Sequence, residues 1–100
     1  MAIVEFTIIP IGTATTSLSG YVADLHKELE KHADITFEMT PMGTILEGSL
    51  DRILEVIRAV HEVPFTNGAQ RVSTSIKIDD RRDKAASMSQ KMHSVAEKLK

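Results

Sequence analysis

The fold is decided by the stretch ITFEMTPMGTILEGSLDRILEVIRAV, residues 35–60. Its first part alternates apolar and polar side chains, turns at Pro41-Met42-Gly43 and returns to Gly48. Since successive side chains of a strand point to opposite faces, this pattern predicts a β-hairpin. From Ser49, which suits a helix N-cap, the apolar side chains expected to face the core recur at helical spacing, at Leu50, Ile53, Leu54, Ile57 and Val60. The stretch therefore predicts two antiparallel strands followed by an amphipathic helix.

Strand patterns also flank this unit on both sides. Residues 3–9 and residues 72–78 each alternate between apolar and polar side chains, and Pro10 ends the first of these strands. Between the first strand and the hairpin lies a predicted helix that Ser17 caps, with an apolar stripe at Leu18, Val22, Leu25 and Leu29. Pro64 is expected to end the helix that begins at Ser49.

The last segment is predicted to be a helix that opens at Asp83. Its apolar stripe is narrow and consists of Met88, Met92, Val95 and Leu99. A stripe of this width is typical of a seam between helices or of a subunit interface rather than of a broad core face.

The element order is therefore β-α-β-β-α-β with an extra C-terminal helix. This order predicts an α+β, ferredoxin-like fold with an antiparallel sheet of strand order 4-1-3-2 and two helices on one face. A length of 100 residues suits a single domain, 1–100. The other face of the sheet carries polar side chains, which either meet water or are covered by the last helix or by another subunit: Glu5, Thr7, Thr36, Glu38, Ser73, Ser75 and Lys77.

The composition excludes several classes of protein. No Cys is present, which excludes disulfides, Cys-ligated metals and thiol nucleophiles. The longest apolar runs are far shorter than the roughly 18 to 20 residues that span a bilayer, and Glu5 interrupts any signal-peptide core. We therefore expect a cytoplasmic protein with no membrane partner.

The charge pattern argues against nucleic acid as a partner. The formal net charge is -2, and the aromatic residues Phe6 and Phe37 fall in the strand positions that face the helices, so they are not available to stack bases. Residues 1–70 hold four basic and ten acidic side chains, whereas residues 71–100 hold eight and four. This asymmetry favours contact between the tail of one copy and the body of another, and a solvated basic helix would also explain it.

No constellation of catalytic or metal-ligating residues emerges from the sequence. His26 and His32 lie six residues apart on one predicted helix, a spacing that does not align two ligands on one face. We interpret both as facing solvent. The chain also has no nucleophile elbow and no Gly-rich phosphate loop. The sequence thus predicts a binding protein that is not an enzyme and needs no cofactor or metal.

The topology brings three loops to one end of the sheet. Two of them carry the same Pro-x-Gly-Thr pattern, at residues 10–13 and 41–44, and the first turn of the helix after Ser17 offers free backbone N–H groups. A small polar ligand would find hydrogen-bond partners there. The same residues are also those that turns and helix caps select, so a purely structural role explains them equally well.

The chain resembles the small thiamine-binding, YkoF-like protein family. The resemblance covers nearly the whole chain and rests on the following segments in order: Pro10-Ile11-Gly12-Thr13, Ser17-Leu18-Ser19-Gly20-Tyr21-Val22, Pro41-Met42-Gly43-Thr44, Glu47-Gly48, His61-Glu62, Gly68-Ala69-Gln70-Arg71-Val72 and residues 76–84. It implies a ferredoxin-like fold, a homotetramer built as a dimer of dimers, and non-catalytic binding of thiamine or its hydroxymethylpyrimidine part in the cytoplasm. The alternative is a structural or regulatory oligomer, ACT-like in architecture, that senses another metabolite.

The predicted ligand site combines the converging loops with the ligand that the resemblance implies. Gly12 and Gly43 would admit the ligand and Tyr21 would stack on a ring. Hydroxyl groups would hydrogen-bond it, namely those of Thr13, Ser17, Ser19 and Thr44. Glu47 would reach the aminopyrimidine, although it points to the other side of the pleat from Thr44, so a neighbouring subunit would have to bring it into the site.

Overall fold

The structure is a computed structural model that describes residues 1–12, 19–83 and 88–99, with the backbone alone for residues 19 and 88–91. Its strands are β1 (Ala2–Pro10), β2 (Thr36–Thr40), β3 (Gly43–Gly48) and β4 (Val72–Asp80). Its helices are α1 (Ser19–Glu30), α2 (Leu50–His61), α3 (Val63–Thr66) and α4 (Met88–Lys98).

The strands form an antiparallel sheet in the order β2-β3-β1-β4. This confirms the predicted α+β, ferredoxin-like fold and its strand order 4-1-3-2. β1 lies in the centre, where Val4 pairs with Leu46 of β3 and with Ile78 of β4. Because paired residues on neighbouring strands point to the same side, each row across the sheet belongs to one face.

The two faces of the sheet differ in what covers them. We call the side covered by α1 and α2 the helix face; it includes the buried side chains of Val4, Phe6 and Leu46. The opposite side is the open face. Its residues are in register across the sheet and comprise Ile3, Glu5, Thr7, Ile9, Thr36, Glu38, Thr40, Gly43, Ile45, Glu47, Ser73, Ser75, Lys77 and Asp79.

The hairpin between β2 and β3 is closed by the side chain of Thr40. Its Oγ1 accepts hydrogen bonds from the backbone N–H groups of Met42 and Gly43, at 3.2 and 3.1 Å, and donates to the carbonyl of Gly43 at 2.8 Å. Pro41 fixes the backbone at the first corner, and Met42 has no positive φ. These features are those of a type I turn, and they confirm the predicted hairpin.

The core is formed by α2 on the helix face. Ser49 caps this helix, since its Oγ accepts from the backbone N–H of Arg52 at 3.4 Å. The buried side chains of α2 are Ile53, Val56, Ile57 and Val60. The predicted apolar stripe of this helix is wrong at Leu54, which is 40% exposed. Val56, which the stripe did not include, is buried in the core.

Two segment ends also differ from the sequence prediction. α2 ends at His61, as expected, but Pro64 then lies in the first turn of the short helix α3 rather than in a loop. Proline is tolerated there because the first N–H groups of a helix have no partner within it. β4 continues two residues beyond Ile78, where Asp80 pairs with Ala2.

α1 packs with the second half of its predicted stripe. Leu25 and Leu29 are buried, whereas Val22 is 44% exposed. The predicted cap Ser17 and the first apolar position Leu18 lie outside the described residues.

α4 stands apart from the rest of the chain. The described side chains, residues 92–99, are all exposed, including the apolar positions Met92, Val95 and Leu99. The chain is correspondingly elongated, with a longest dimension of 46 Å and a radius of gyration of 15.0 Å, against about 13 Å for an average domain of this length. None of the helices in the described ranges is long and apolar enough to cross a membrane.

Neighbouring positions on α2 provide a test of the core. We expect Ile53→Ala to lower the free energy of unfolding by about 2 to 5 kcal/mol, because it opens a cavity in a fully buried site. Leu54→Ala, one residue further on, removes a side chain that is already 40% exposed, and we expect it to cost less than half as much. Urea denaturation of the two variants measures the difference, and equal losses would contradict this arrangement of α2.

Candidate functional site

Gly12 and the hairpin turn at Gly43 lie at the same end of the sheet but not side by side. Thr44 pairs with Phe6, so the hairpin turn lies near the level of Thr7, whereas β1 continues to Pro10. At about 3.3 Å per residue, Gly12 is up to roughly 16 Å further along the chain than Thr7. Its neighbour Ile11 donates to the carbonyl of Arg71 at 2.8 Å. Gly12 is thus placed beside the start of β4.

The predicted site residues are also divided between the two faces of the sheet. Thr44 points to the helix face and is 7% exposed. Gly43 and Glu47 lie on the open face. Tyr21 is half-buried on α1. Thr13, Ser17 and the side chain of Ser19 lie outside what the structure describes. One subunit therefore does not bring Thr44 and Glu47 to the same side of its sheet.

The structure gives Gly43 a role within the sheet. A Cβ atom at this position would lie 3.0 Å from both the carbonyl oxygen of Phe6 and Oγ1 of Thr7. Its φ is not positive, so it is the closeness of β1 that favours glycine here. Gly12, in contrast, has φ +79° and open space around it, so its backbone conformation is the reason for glycine.

A groove of about 750 Å³ runs between α1 and the edge strand β2. This volume is in the range of small-molecule sites. The groove is lined mainly by apolar surface, with charged groups at its rim, and its residues are Val22, Ala23, His26, Lys27, Glu30 and Met39. It adjoins two of the predicted site residues, because Met39 pairs with Thr44 and Val22 follows Tyr21. Thr44 and Tyr21 are thus neighbours of groove residues, although neither lines the groove itself.

His26 is the polar centre of this groove. Its Nε2 lies 2.7 Å from Oε1 of Glu30, and its Nδ1 lies 2.9 Å from Sδ of Met39. The ring also meets Phe37 edge to face, at 5.4 Å between centroids. Both ring nitrogens are thus engaged, and the imidazole is held from three sides as part of the groove wall. Our interpretation of His26 as a solvent-facing residue was incomplete, because its side chain is only 43% exposed.

A second polar cluster joins the end of α1 to the start of α2. The guanidinium of Arg52 donates to both carboxylate oxygens of Asp34, at 2.6 and 3.2 Å. It also donates from Nη2 to Nδ1 of His32 at 3.0 Å, since a guanidinium has no acceptor. The side chain of His32 is 18% exposed, so it does not face solvent as expected. This cluster ties two helices together and lies apart from the groove.

His61 forms a third polar contact, at the end of α2. Its Nδ1 lies 2.6 Å from Oγ1 of Thr74 on β4, and its ring meets Phe65 at 5.6 Å between centroids. This contact links α2 and α3 to the sheet.

In residues 1–12, 19–83 and 88–99, no three His, Asp or Glu side chains are grouped so that they could hold a metal ion.

Comparison with known proteins assigns the family. A sequence model of the family described as "Thiamine-binding protein" matches residues 4–96. The chain belongs to the thiamine-binding protein family. This confirms the family that the sequence resemblance indicated.

Relatives of this thiamine-binding family member span its whole length. It is 50% identical over 102 residues to the UPF0045 protein YqgV of Bacillus subtilis (strain 168), covering 99% of this chain and 98% of the relative. A UPF0045 protein of Methanothermobacter thermautotrophicus is 44% identical over 100 residues, covering 99% and 100%. The crystal structure of protein MJ1052 from Methanocaldococcus jannaschii superposes with a TM-score of 0.85 at 36% identity and covers 96% of each chain.

The contacts of Arg52 predict that the free energy of unfolding depends on pH in the acidic range. The hydrogen bond from Arg52 lowers the pKa of Asp34 below its ordinary value of about 3.8. The ionised carboxylate therefore stabilises the folded protein above that value, and this contribution is lost as the pH falls through the folded-state pKa. We expect the difference in unfolding free energy between the wild type and Arg52→Gln to be larger at pH 7 than at pH 3.

Urea denaturation at both pH values measures this difference. The control is Arg58→Gln, which removes an ion pair with Glu62 on the exposed surface of the same helix and is expected to have a smaller effect. A penalty for Arg52→Gln that is the same at both pH values would contradict the assigned role of Asp34.

Proposed function

We propose that this protein is a non-catalytic cytoplasmic protein that binds thiamine or its hydroxymethylpyrimidine part and acts as a homotetramer built from dimers. The observation that carries the proposal is the match of the thiamine-binding family over residues 4–96. The groove between α1 and β2 supports it, because its volume and its apolar lining suit a small organic ligand.

The chemical groups of thiamine fit the groove between α1 and β2. An aminopyrimidine needs hydrogen-bond donors and acceptors along one edge, and the groove offers the ammonium of Lys27 as a donor and the carboxylate of Glu30 as an acceptor. The thiazolium of thiamine is a cation and suits a body in which residues 1–70 are mainly acidic. Tyr21 directly precedes the groove residue Val22 on α1, and we propose that its aromatic side chain stacks on a ring of the ligand.

The remaining proposed residues fall into two groups. Gly12, beside the start of β4, and Ser19, the first residue of α1, remain proposed ligand residues together with Thr13 and Ser17, which lie outside the described residues. Gly43 and Glu47 lie on the open face, across the sheet from Thr44. We propose that these two act in a site only where a second subunit meets the open face.

Calorimetric titration with thiamine and with hydroxymethylpyrimidine tests the ligand and the site. We expect the wild type to bind one of them and to release it chemically unchanged. Thr44→Val keeps the shape of the side chain but removes its hydroxyl, and Ser19→Ala removes a hydroxyl at the start of α1. Each should weaken binding by about 0.5 to 1.5 kcal/mol, the usual contribution of a neutral hydrogen bond.

Thr66→Val is the control for Thr44→Val, because Thr66 is exposed on α3 and does not line the groove. Gly43→Val is a poor probe, since its side chain would crowd β1 and disturb the sheet itself. A wild type that binds neither compound would refute the proposal that the ligand is thiamine or hydroxymethylpyrimidine. Normal binding by folded Thr44→Val and Ser19→Ala would place the ligand elsewhere.

Self-association is tested on the unmodified protein. The exposed apolar side chains of α4, together with the two edge strands β2 and β4, are the surfaces on which we base it. We expect sedimentation velocity at micromolar concentration to give the mass of a tetramer, with dissociation to dimers on dilution. A monomer of 11.0 kDa under these conditions would refute the proposed assembly.

A further inference from the structure

His26 and Met39 bring two atoms with lone pairs into contact in the groove between α1 and β2. Nδ1 of His26 lies 2.9 Å from Sδ of Met39. On the other side of the ring, Nε2 lies 2.7 Å from Oε1 of Glu30. An ionised carboxylate only accepts hydrogen bonds, so the proton of a neutral imidazole belongs on Nε2. Nδ1 then carries no proton, and its lone pair points at a thioether sulfur that has no proton to donate either.

This contact needs a positively charged partner between its two atoms. A second proton on the ring is one such partner, and a cation bound by both atoms is the other. Imidazole nitrogen and thioether sulfur both bind Cu(I), whereas Mg²⁺ and Ca²⁺ prefer carboxylate, carbonyl and water oxygens. A cation that binds to both His26 and Met39 is therefore a soft one.

Glu30 holds the imidazole in the way that a metal ligand requires. A histidine that binds a metal through one ring nitrogen almost always donates its other N–H to a carboxylate, a carbonyl or a water molecule. This second contact fixes the tautomer and the orientation of the ring. The contact of His26 with Glu30 is of this kind, and Phe37 holds the ring edge to face from a further side.

We propose that His26 and Met39 form a binding site for Cu(I), with Glu30 as the residue that positions His26. Bonds from a metal ion to imidazole nitrogen and to sulfur are about 2.0 and 2.3 Å long, so Nδ1 and Sδ must move apart by about 0.6 to 1.4 Å to admit the ion. Met39 can make this movement, because its unbranched side chain has three rotatable bonds and borders the groove. The groove also gives the ion a path to the site.

The charged groups near the pair are compatible with a monovalent cation. Glu30 brings a carboxylate to the far side of the imidazole. Lys27 also lines the groove, but it is exposed and can keep its ammonium group in water. The prediction that the protein needs no metal rested on spacings along one helix, and such spacings do not reveal a pair that joins α1 to β2.

The chain contains matched controls for both ligands. His93 and Glu97 on α4 have the same four-residue spacing as His26 and Glu30, but their Nε2 to Oε1 distance is 3.8 Å and the side chain of His93 is 75% exposed. Met42 is 81% exposed at the hairpin turn. Neither His93 nor Met42 lines the groove.

Titration of the full chain with Ag(I), in the absence of thiamine, tests the site. Ag(I) has the charge and the ligand preference of Cu(I) and needs no reductant. We expect the NMR signals of the Met39 methyl group and the His26 ring to shift together up to one equivalent of ion. His26→Gln and Met39→Leu should each raise the dissociation constant at least tenfold, whereas His93→Gln and Met42→Leu should leave it unchanged. Cu(I) under reducing conditions, in competition with a chromophoric chelator, should give the same order.

The role of Glu30 is tested by the tautomer of the ring. Glu30→Gln should weaken binding about tenfold or more, as the loss of such a partner does in other metal sites. It should also change the proportion of Nδ1–H and Nε2–H tautomers of His26, measured by ¹⁵N NMR without the ion. Glu97→Gln should change neither quantity.

The outcomes separate this inference from the proposed function, which it does not require. Equal affinity for Ag(I) in the wild type and in folded Met39→Leu and His26→Gln overturns the site. A His26 ring with protons on both nitrogens at pH 7 also overturns it, because a proton then fills the contact. A chain that binds Ag(I) at His26 and Met39 but neither thiamine nor hydroxymethylpyrimidine supports the inference and refutes the proposed ligand. Circular dichroism confirms that each variant folds.

Discussion

The alternation of side chains along β1 is the constraint on which the rest of the structure depends. Val4 and Phe6 are 0% and 2% exposed, while Glu5 between them is exposed on the opposite face. β1 lies in the centre of the sheet and pairs with both β3 and β4. Because paired residues point to the same face, the alternation along β1 determines which residues of β3 and β4 face the helices. A shift by one residue would move the whole apolar set to the open face, so the register is strongly specified.

This division into two faces explains why the candidate site is not a single cluster in one chain. Thr44 and Glu47 are three residues apart on β3, and an odd separation places them on opposite sides. The groove between α1 and β2 belongs to the helix face, and its position follows from α1 leaving part of the edge strand uncovered, so that Val22 and Met39 border open space. The helix face thus offers a concave site, and the open face offers a flat surface suited to another protein chain.

The sequence predicted the elements well because their signals are local. The hairpin turn at Thr40-Pro41-Met42-Gly43 and the cap at Ser49 depend on neighbouring residues, and both are found. The strand order followed from the general rules for connecting such elements. By contrast, exposure within a helix depends on what packs against it, which is why Leu54 and Val22 were assigned to the core although both are substantially exposed.

The candidate site was less predictable, because its geometry depends on tertiary distances. The spacing of four residues between His26 and Glu30 is a readable signal of an interaction on one helix face. The contact of His26 with Met39, in contrast, joins α1 to β2 and depends on the angle at which the helix crosses the sheet. The reason for glycine at position 43 also lies in another strand, where Phe6 and Thr7 approach it.

The exposed position of α4 links folding to assembly. Most of the stability of a helix in a protein comes from the packing of its apolar face, and the described side chains of α4 are exposed within this chain. Its stability in solution therefore depends on the surface that covers Met92, Val95 and Leu99. If that surface belongs to a second copy, the order of α4 rises with protein concentration by mass action. The groove on the helix face, in contrast, is formed by α1 and β2 within each chain, so a ligand bound there does not require that assembly.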